Sequence, residues 1–423
     1  MKAEIKLFLK KYQMSCDDID IKVTLDNFDK EINKGLEKDD VVKVCSIPMI
    51  ATYLNPDINI KTNEKVIVVD AGGTNLRVGL AYFDGTMWHL DDVIEDKMPG
   101  IDREYSSDEF FSYIADRMKP FLDKAKNIGF CFSYRVRMNK DLDGSLIAWA
   151  KEIKAKEVVG KFVGAELLKA IKKYSNVERS IVVLNDTTAV LLGGMTLDSA
   201  KEFKKYIGAI YGTGFNCCYM EDVKNIKKIK DVKQKMMIIN TETGNFNGFK
   251  RGIFDIELNN ESSIVDEALT EKMSSGRYLA TLIYKATRKA ISDSLLSQAT
   301  KLPSASTFDL PLVSKYLAGI TTELDSCFVN SDDIKTFKEI SLELINRASK
   351  VVATTISAFA IRSNEKKIGI IIEGSTFYKL PTFKENFNSY LNEILSKYQI
   401  SYQLFDGRDK ILLGAALASM NKN

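Results

Sequence analysis

One histidine, His89, is all the imidazole that the 423 residues contain. Sites built from several histidines are therefore excluded, and a Ser-His-Asp or Cys-His mechanism has only His89 to draw on. That residue follows Trp88 at what reads as the far end of a hairpin, so acid–base chemistry must rest on carboxylates or lysines. Charge of one sign is lacking too. Sixty basic residues meet 57 acidic ones for a formal net charge of +3, and a chain this close to balance gives no reason to expect nucleic acid. No apolar run approaches the ~18 residues that span a bilayer, so no membrane crossing is expected. The six cysteines show no metal-type spacing, and adjacent Cys217 and Cys218 lie inside an apolar run. They read as buried thiols rather than a disulfide. Together with the absence of a signal peptide, this gives a cytoplasmic expectation.

What is present is an ordinary globular composition, 45% hydrophobic and 28% charged, in a chain long enough for one to three domains. Residues 1–63 read as helical, with Ile5, Leu7, Phe8, Leu9 and Tyr12 near helical spacing among lysines. A basic amphipathic helix suits either a membrane surface or a protein core, and packing against the rest of the chain is the expectation. From Lys65 strands and helices alternate, which defines an α/β class. Strands are expected at 66–69, 77–83, 127–133, 180–184, 206–211, 236–239 and 368–372, and helices at 165–174, 265–299, 334–362 and 409–421. The lysine-rich run 223–235 has no interleaved aromatics and reads as a solvated loop.

The stretch "VIVVDAGGTNLRVG" (66–79) drives a buried strand into an acid, two glycines and a threonine. A plain hairpin with Asp70 capping its turn accounts for it, and so does a phosphate loop. In the second case the glycines let backbone approach an anion, Thr74 adds a donor, and Asp70 holds a metal through water. A strand, a glycine-rich turn and a second strand recur at 206–220, suggesting a duplicated fold with a cleft between its halves. Polar residues gather where strands end, at Asn185-Asp186, Asn240-Thr241-Glu242 and Glu373-Gly374-Ser375, where α/β sheets place ligands.

Five segments together resemble the hexokinase/glucokinase family, in that family's order: "VDAGGTNLRVG" (69–79), "GFCFSY" (129–134), "LNDTTAVLLGG" (184–194), "GTGFNCCYME" (212–221) and "INTETGNF" (239–246). "EKMSSGRYL" (271–279), "EGSTFYKLPTFK" (373–384), "SIPMIATYL" near the N-terminus and "GAALA" at the C-terminus extend the match along the chain. The resemblance implies an actin-like (ribonuclease H-like) duplicated α/β fold, two domains on a hinge with a cleft between them. The expected divisions are an N-terminal helical segment (1–63) on the large domain, a small α/β domain (64–185), a large one (186–408), and a C-terminal helix (409–423) returning to the small domain. The implied reaction moves the γ-phosphoryl group of Mg-ATP to the 6-hydroxyl of a hexose, glucose first, feeding glycolysis.

By the same resemblance Asp186 is the general base and Lys151 the cation at the transferring phosphoryl group. Ser133, Lys151, Asn185, Asp186, Asn216, Glu242 and Glu271 contact the sugar. Asp70, Gly72, Gly73, Thr74, Asn75 and Arg77 serve the nucleotide on the first hairpin, Gly212, Thr213 and Gly214 on the second, and Gly374 and Ser375 near the adenosine. Mg²⁺ has no direct protein ligand, Asp70 reaching it through water. On the residues alone, Asn185-Asp186-Thr187 is also a helix N-cap, Glu271 a solvated helix residue and Lys151 a surface lysine. Three departures stand out: Arg135 where the family has proline, Ala150 where it has threonine beside the lysine, and "DGRDKILLGAAL" in place of a glycine-rich stretch. The hexose range, and the choice between monomer and homodimer, stay open. Two other readings fit the fold: a catalytically weak sugar sensor or regulatory protein, which the Asp186–Lys151 pair argues against, and an actin-like ATPase or assembly protein. The latter has no use for Asn216, Glu242 and Glu271 together.

Overall fold

The computed structural model describes residues 1–38, 45–149, 153–197 and 202–422. Its first elements are α1 (Ala3–Lys11) and α2 (Ile21–Glu37). α1 buries Ile5, Phe8 and Leu9, with Lys6, Lys10 and Lys11 exposed, the two-faced pattern of a helix packed on a core. Asp20 caps α2 by accepting the Val23 N–H. Among the described residues, the helical expectation for residues 1–63 fails from Cys45 onward. Pro48 and Pro56 interrupt any further helix, and Ile50–Ala51 instead forms β1.

β2 (Val66–Ala71), β3 (Asn75–Phe83) and β4 (Trp88–Lys97) follow, then α3 (Ser107–Met118), β5 (Asn127–Phe132), the hairpin β6 (Arg135–Met138) and β7 (Gly144–Ala148), α4 (Val163–Ile171), β8 (Ser180–Leu184) and α5 (Asp186–Met195). Five of these strands form a sheet in the order β4-β3-β2-β5-β8. β2, β3 and β4 are antiparallel, whereas β2, β5 and β8 are parallel. Every residue of β2 is buried, as expected of a strand covered on both faces. His89 lies on β4, its ring stacked on Tyr82 and its Nε2 2.6 Å from Asp84 in the β3–β4 turn.

The second half repeats the plan. β9 (Tyr206–Tyr211), β10 (Phe215–Asp222) and β11 (Met236–Asn240) lead to the helices α6 (Ile253–Glu261), α7 (Leu269–Ser274), α8 (Gly276–Ser292), α9 (Leu310–Leu317) and α10 (Ser331–Arg362). β12 (Lys367–Glu373), α11 (Ser375–Lys379), α12 (Phe383–Lys397), β13 (Ser401–Asp406) and α13 (Ile411–Ser419) complete the chain. The sheet order is β1-β11-β10-β9-β12-β13, again an antiparallel hairpin trio followed by parallel strands, with β1 added at the edge. The helical pattern over 265–299 is two helices, because Ser275 adopts an extended backbone (φ −71°, ψ 159°) between them.

Each sheet has its own apolar core, and a third core joins them. That third core is built by the helices that close each half. α5 follows β8 of the first sheet but packs on β9, β10 and β12 of the second, while α13 follows β13 of the second and packs on β2, β5 and β8 of the first. The two helices cross with almost no space between their backbones. A Cβ added at Gly414 would lie 1.8 Å from the Ala189 carbonyl oxygen, and one at Gly193 would lie 2.1 Å from that of Lys410. Only glycine permits so close an approach. In the second half Arg347 on α10 forks onto Asp255 on α6, Nη1 to Oδ1 at 3.2 Å and Nη2 to Oδ2 at 2.5 Å, with both side chains 1% exposed.

Candidate active site

At the end of β2 the chain turns through Gly72-Gly73-Thr74, and the Gly72 N–H donates to the Asn75 carbonyl at 3.0 Å. Asp70 is buried beneath this turn. Its Oδ2 accepts from Nε and Nη2 of Arg77 at 3.1 and 2.6 Å, while its Oδ1 is buried and has no hydrogen-bond partner among the described residues. Burial pushes the Asp70 carboxyl above its ordinary range, Arg77 pulls it back, and the negative charge of Asp186 adds to the rise. Thr74 and Asn75 are exposed, and the Asn75 amide is committed to Glu95 on β4 at 2.9 Å. Of the first-hairpin residues, Asn75 is thus the one whose side chain turns to its own sheet edge.

The second hairpin turns through Gly212-Thr213-Gly214, with the Gly212 N–H on the Gly214 carbonyl at 3.0 Å. The start of α8 supports it: the N–H groups of Gly276 and Arg277 donate to the carbonyls of Gly212 and Thr213 at 2.9 and 3.1 Å. Gly374 lies across the same turn at φ +127°, where a Cβ would come within 2.1 Å of the Tyr211 carbonyl oxygen. A side chain is excluded there on both conformation and space. Ser375, exposed, begins α11.

The polar residues expected at a sugar fall in two groups. On the first-sheet side, the Ser133 N–H bonds the Ala71 carbonyl at 3.1 Å, and the Tyr134 hydroxyl donates to the Gly72 carbonyl at 2.6 Å. This ties the loop after β5 to the turn after β2. Asn185 and Asp186 end β8. Asn185 Oδ1 and Asp186 Oδ1 both accept from the Thr187 N–H, at 3.0 and 2.8 Å. Asn185 is therefore the N-cap of α5, and Asp186 is steadied through one oxygen, its other making no hydrogen bond among the described residues.

On the second-sheet side, Asn216 Oδ1 accepts from the N–H groups of Cys217 and Thr243 at 2.8 and 3.3 Å. Its Nδ2 donates to Asn240 Oδ1 at 2.8 Å, and Asn240 Nδ2 donates to Glu242 Oε1 at 2.9 Å. Glu242 sits in the left-handed region, φ 54° and ψ 42°. Burial pushes its carboxyl up, Arg135 and the Asn240 bond pull it back, and Asp186 adds to the rise. Glu271 accepts the Phe215 N–H at 3.2 Å, beside Gly214 and Gly244. Asn216, Glu242 and Glu271 thus share one corner, and the negative charge of Asp186, at the head of α5, acts on Glu242. Lys151 and Ala150 lie outside the described residues.

Glu373, Asn240, Tyr134 and Arg135 were not among the expected site residues, although the first two end strands, the signal that picked out Asp186. Glu373 stands between the halves. Burial first, then the charge of Asp186, push its carboxyl from an ordinary 4.5 up to about 7, with Asp70 and Asp409 adding and Arg77 opposing. The folded chain therefore holds this proton more tightly than the unfolded one, and stability must fall as pH rises through the interval between the two values. Glu373→Gln mimics the protonated acid. Its thermal midpoint minus that of the wild type, measured without nucleotide, should grow between pH 4.5 and about 7 and level off above. A difference that stays flat over this range would remove the effect assigned to Glu373.

Two sheets with the same hairpin-and-parallel order, joined through exchanged helices and facing each other across a line of carboxylates, define the actin-like class of two-domain α/β proteins. Family models described as hexokinase match residues 4–196 and 206–421. The chain belongs to the hexokinase family. It is 28% identical over 431 residues to hexokinase-1 of Schizosaccharomyces pombe, covering 93% of this chain and 86% of that protein. It is also 28% identical over 425 residues to hexokinase-1 of Rattus norvegicus, again covering 93% of this chain, but it spans only 46% of that longer relative. A solved hexokinase from Schistosoma mansoni, complexed with glucose, shares the fold with a TM-score of 0.82 at 23% identity, over 99% of this chain and 98% of that one. Among the described residues no helix is long and apolar enough to cross a membrane.

Proposed function

We propose that this chain is an ATP-dependent hexose kinase that transfers the γ-phosphoryl group of Mg-ATP to the 6-hydroxyl of a hexose, glucose foremost. The observation that carries the proposal is the position of Asp186. Its charge acts both on Asp70 under the first glycine turn and on Glu242 in the polar corner of the other half. A carboxylate at that junction is suited to accept the proton of a sugar hydroxyl as its oxygen attacks phosphorus. The bond from Thr187 fixes the orientation of Asp186. Ser133, Asn185, Asn216, Glu242 and Glu271 are the proposed sugar contacts, and Lys151 the proposed cation beside the transferring group.

The two glycine turns offer backbone N–H groups to the phosphates, with Gly374 and Ser375 toward the nucleoside. The buried, unpartnered Oδ1 of Asp70 suits a hydrated cation, so the donor set fits a Mg²⁺ held through water. When bound, Mg²⁺ neutralises charge on the phosphates. Asp70 would orient its water shell, and Arg77 would hold Asp70. The closing bodies are taken to be the first sheet with α13 and the second sheet with α5; closure on sugar would exclude water as a competing acceptor. The six free cysteines, three of them in the strands beside the site, suit a reducing cytosol.

A coupled ADP-release assay with a panel of hexoses tests this. Turnover that needs a hexose and is fastest with glucose is the expected result. Equal ATP turnover with and without sugar would favour an ATPase, and sugar binding without turnover a sensor.

A further inference from the structure

The polar corner around Glu242 is rich in acceptors. Glu242, Glu271 and Asp186 carry carboxylates, which only accept hydrogen bonds. The Asn216 amide gives one of its two N–H groups to Asn240, and its oxygen accepts from two backbone N–H groups. A ring hydroxyl both donates and accepts, so each one that gives its proton to a carboxylate leaves oxygen lone pairs seeking a donor.

Arg135 stands at this place. It is the first residue of β6, two residues after Ser133, and its Cα pairs with that of Ala148. β6 lies against β1 of the other sheet. There Ile50 of β1 is opposite Asn240, the residue that donates to Glu242. The Arg135 side chain is half-buried, and its Nε is buried with no hydrogen-bond partner among the described residues. Its charge acts on Glu242 from across the cleft. A buried N–H without an acceptor is costly, and an incoming hydroxyl oxygen would relieve it.

We propose that Arg135 is a sugar-binding and specificity residue, donating from its guanidinium to the oxygen of a hexose ring hydroxyl whose proton is accepted at the Glu242 side. This rests on the hexose-kinase reading of the same site. An arginine here joins the two halves through the substrate: the first half supplies the donor, the second the acceptor, and one hydroxyl satisfies both.

The test compares wild type, Arg135→Ala and Arg135→Lys by calorimetric glucose binding and by steady-state kinetics. Glucose and its 2-, 3- and 4-deoxy analogues serve as the probes. Arg135→Ala should raise the Kd and KM for glucose by ~10- to 100-fold, the loss of a hydrogen bond with one charged partner. It should leave kcat within about threefold and the KM for ATP unchanged, because uniform binding is lost rather than transition-state stabilisation. Arg135→Lys should recover part of the loss. One deoxy analogue should bind wild type and Arg135→Ala alike, while the other two show the full drop. Unchanged glucose binding in Arg135→Ala, or an equal drop for all three analogues, overturns the proposal. A wild type that binds glucose through Arg135 but releases no ADP upholds the contact and overturns the kinase reading. A wild type that turns over glucose with no dependence on Arg135 does the reverse, and one that binds no hexose overturns both.

Discussion

Asp186→Ala should lower kcat by ~10²- to 10⁴-fold, the range a positioned general base contributes, while the Kd for glucose changes little. The reason is that the proton leaves the hydroxyl mainly in the transition state, so its acceptor is worth more there than in the ground state. Asp186 Oδ1 also accepts from Thr187, but Asn185 Oδ1 accepts from the same N–H at 3.0 Å. The start of α5 therefore keeps a cap when Asp186 is removed, and the fold should survive. Single-turnover kinetics with glucose binding measured in parallel would check this. A variant that keeps more than about a tenth of wild-type kcat would remove Asp186 from the role of base.

The second large effect concerns stability. Arg347→Ala or Asp255→Ala should cost about 3–5 kcal/mol, because each strands a charge in a site where both partners are 1% exposed. Asp255 also accepts the Gly252 N–H at 2.7 Å at the start of α6, so its loss should be the worse of the two. Replacing both at once, Arg347→Met with Asp255→Leu, should restore most of the stability, since an apolar pair of similar volume removes the desolvation penalty along with the attraction. Denaturant unfolding measures all three. A single substitution that costs under about 1 kcal/mol would mean that water reaches the pair in solution.

Much of the architecture was legible because buried strands announce themselves. "VIVV", "SIVVL", "YIGAIY" and "IGIII" all lie inside the sheets, with Asp70, Asn185-Asp186 and Glu373 at the ends of three of them. Asn185, Asp186, Asn216, Glu242 and Glu271 could be picked out by that rule together with the family resemblance. Less visible were elements whose pattern is set by a neighbour. β13 alternates weakly at a sheet edge, and the β6–β7 hairpin forms outside both main sheets. Residues 45–63 fall within the helical reading of the N-terminal segment, yet Ile50 and Ala51 pair with β11. Asn240 stands out in the sequence only as a polar residue at a strand end; its place between two partners, Asn216 and Glu242, is something no spacing along the chain predicts. Arg135 stood out only as a departure from a family pattern; its meaning depends on what lies across the cleft.

The crossing of α5 and α13 has a consequence for how this chain tolerates change. Each half lends its last helix to the other as a lining, so neither is a self-sufficient unit that can be cut away, borrowed or replaced intact. A methyl group at Gly414, near the C-terminus, would press on the carbonyl of Ala189, three residues along the helix that Asp186 begins. Damage at the tail of the molecule would thus be registered at the head of the helix that Asp186 begins, and the two similar halves are bound to vary as partners.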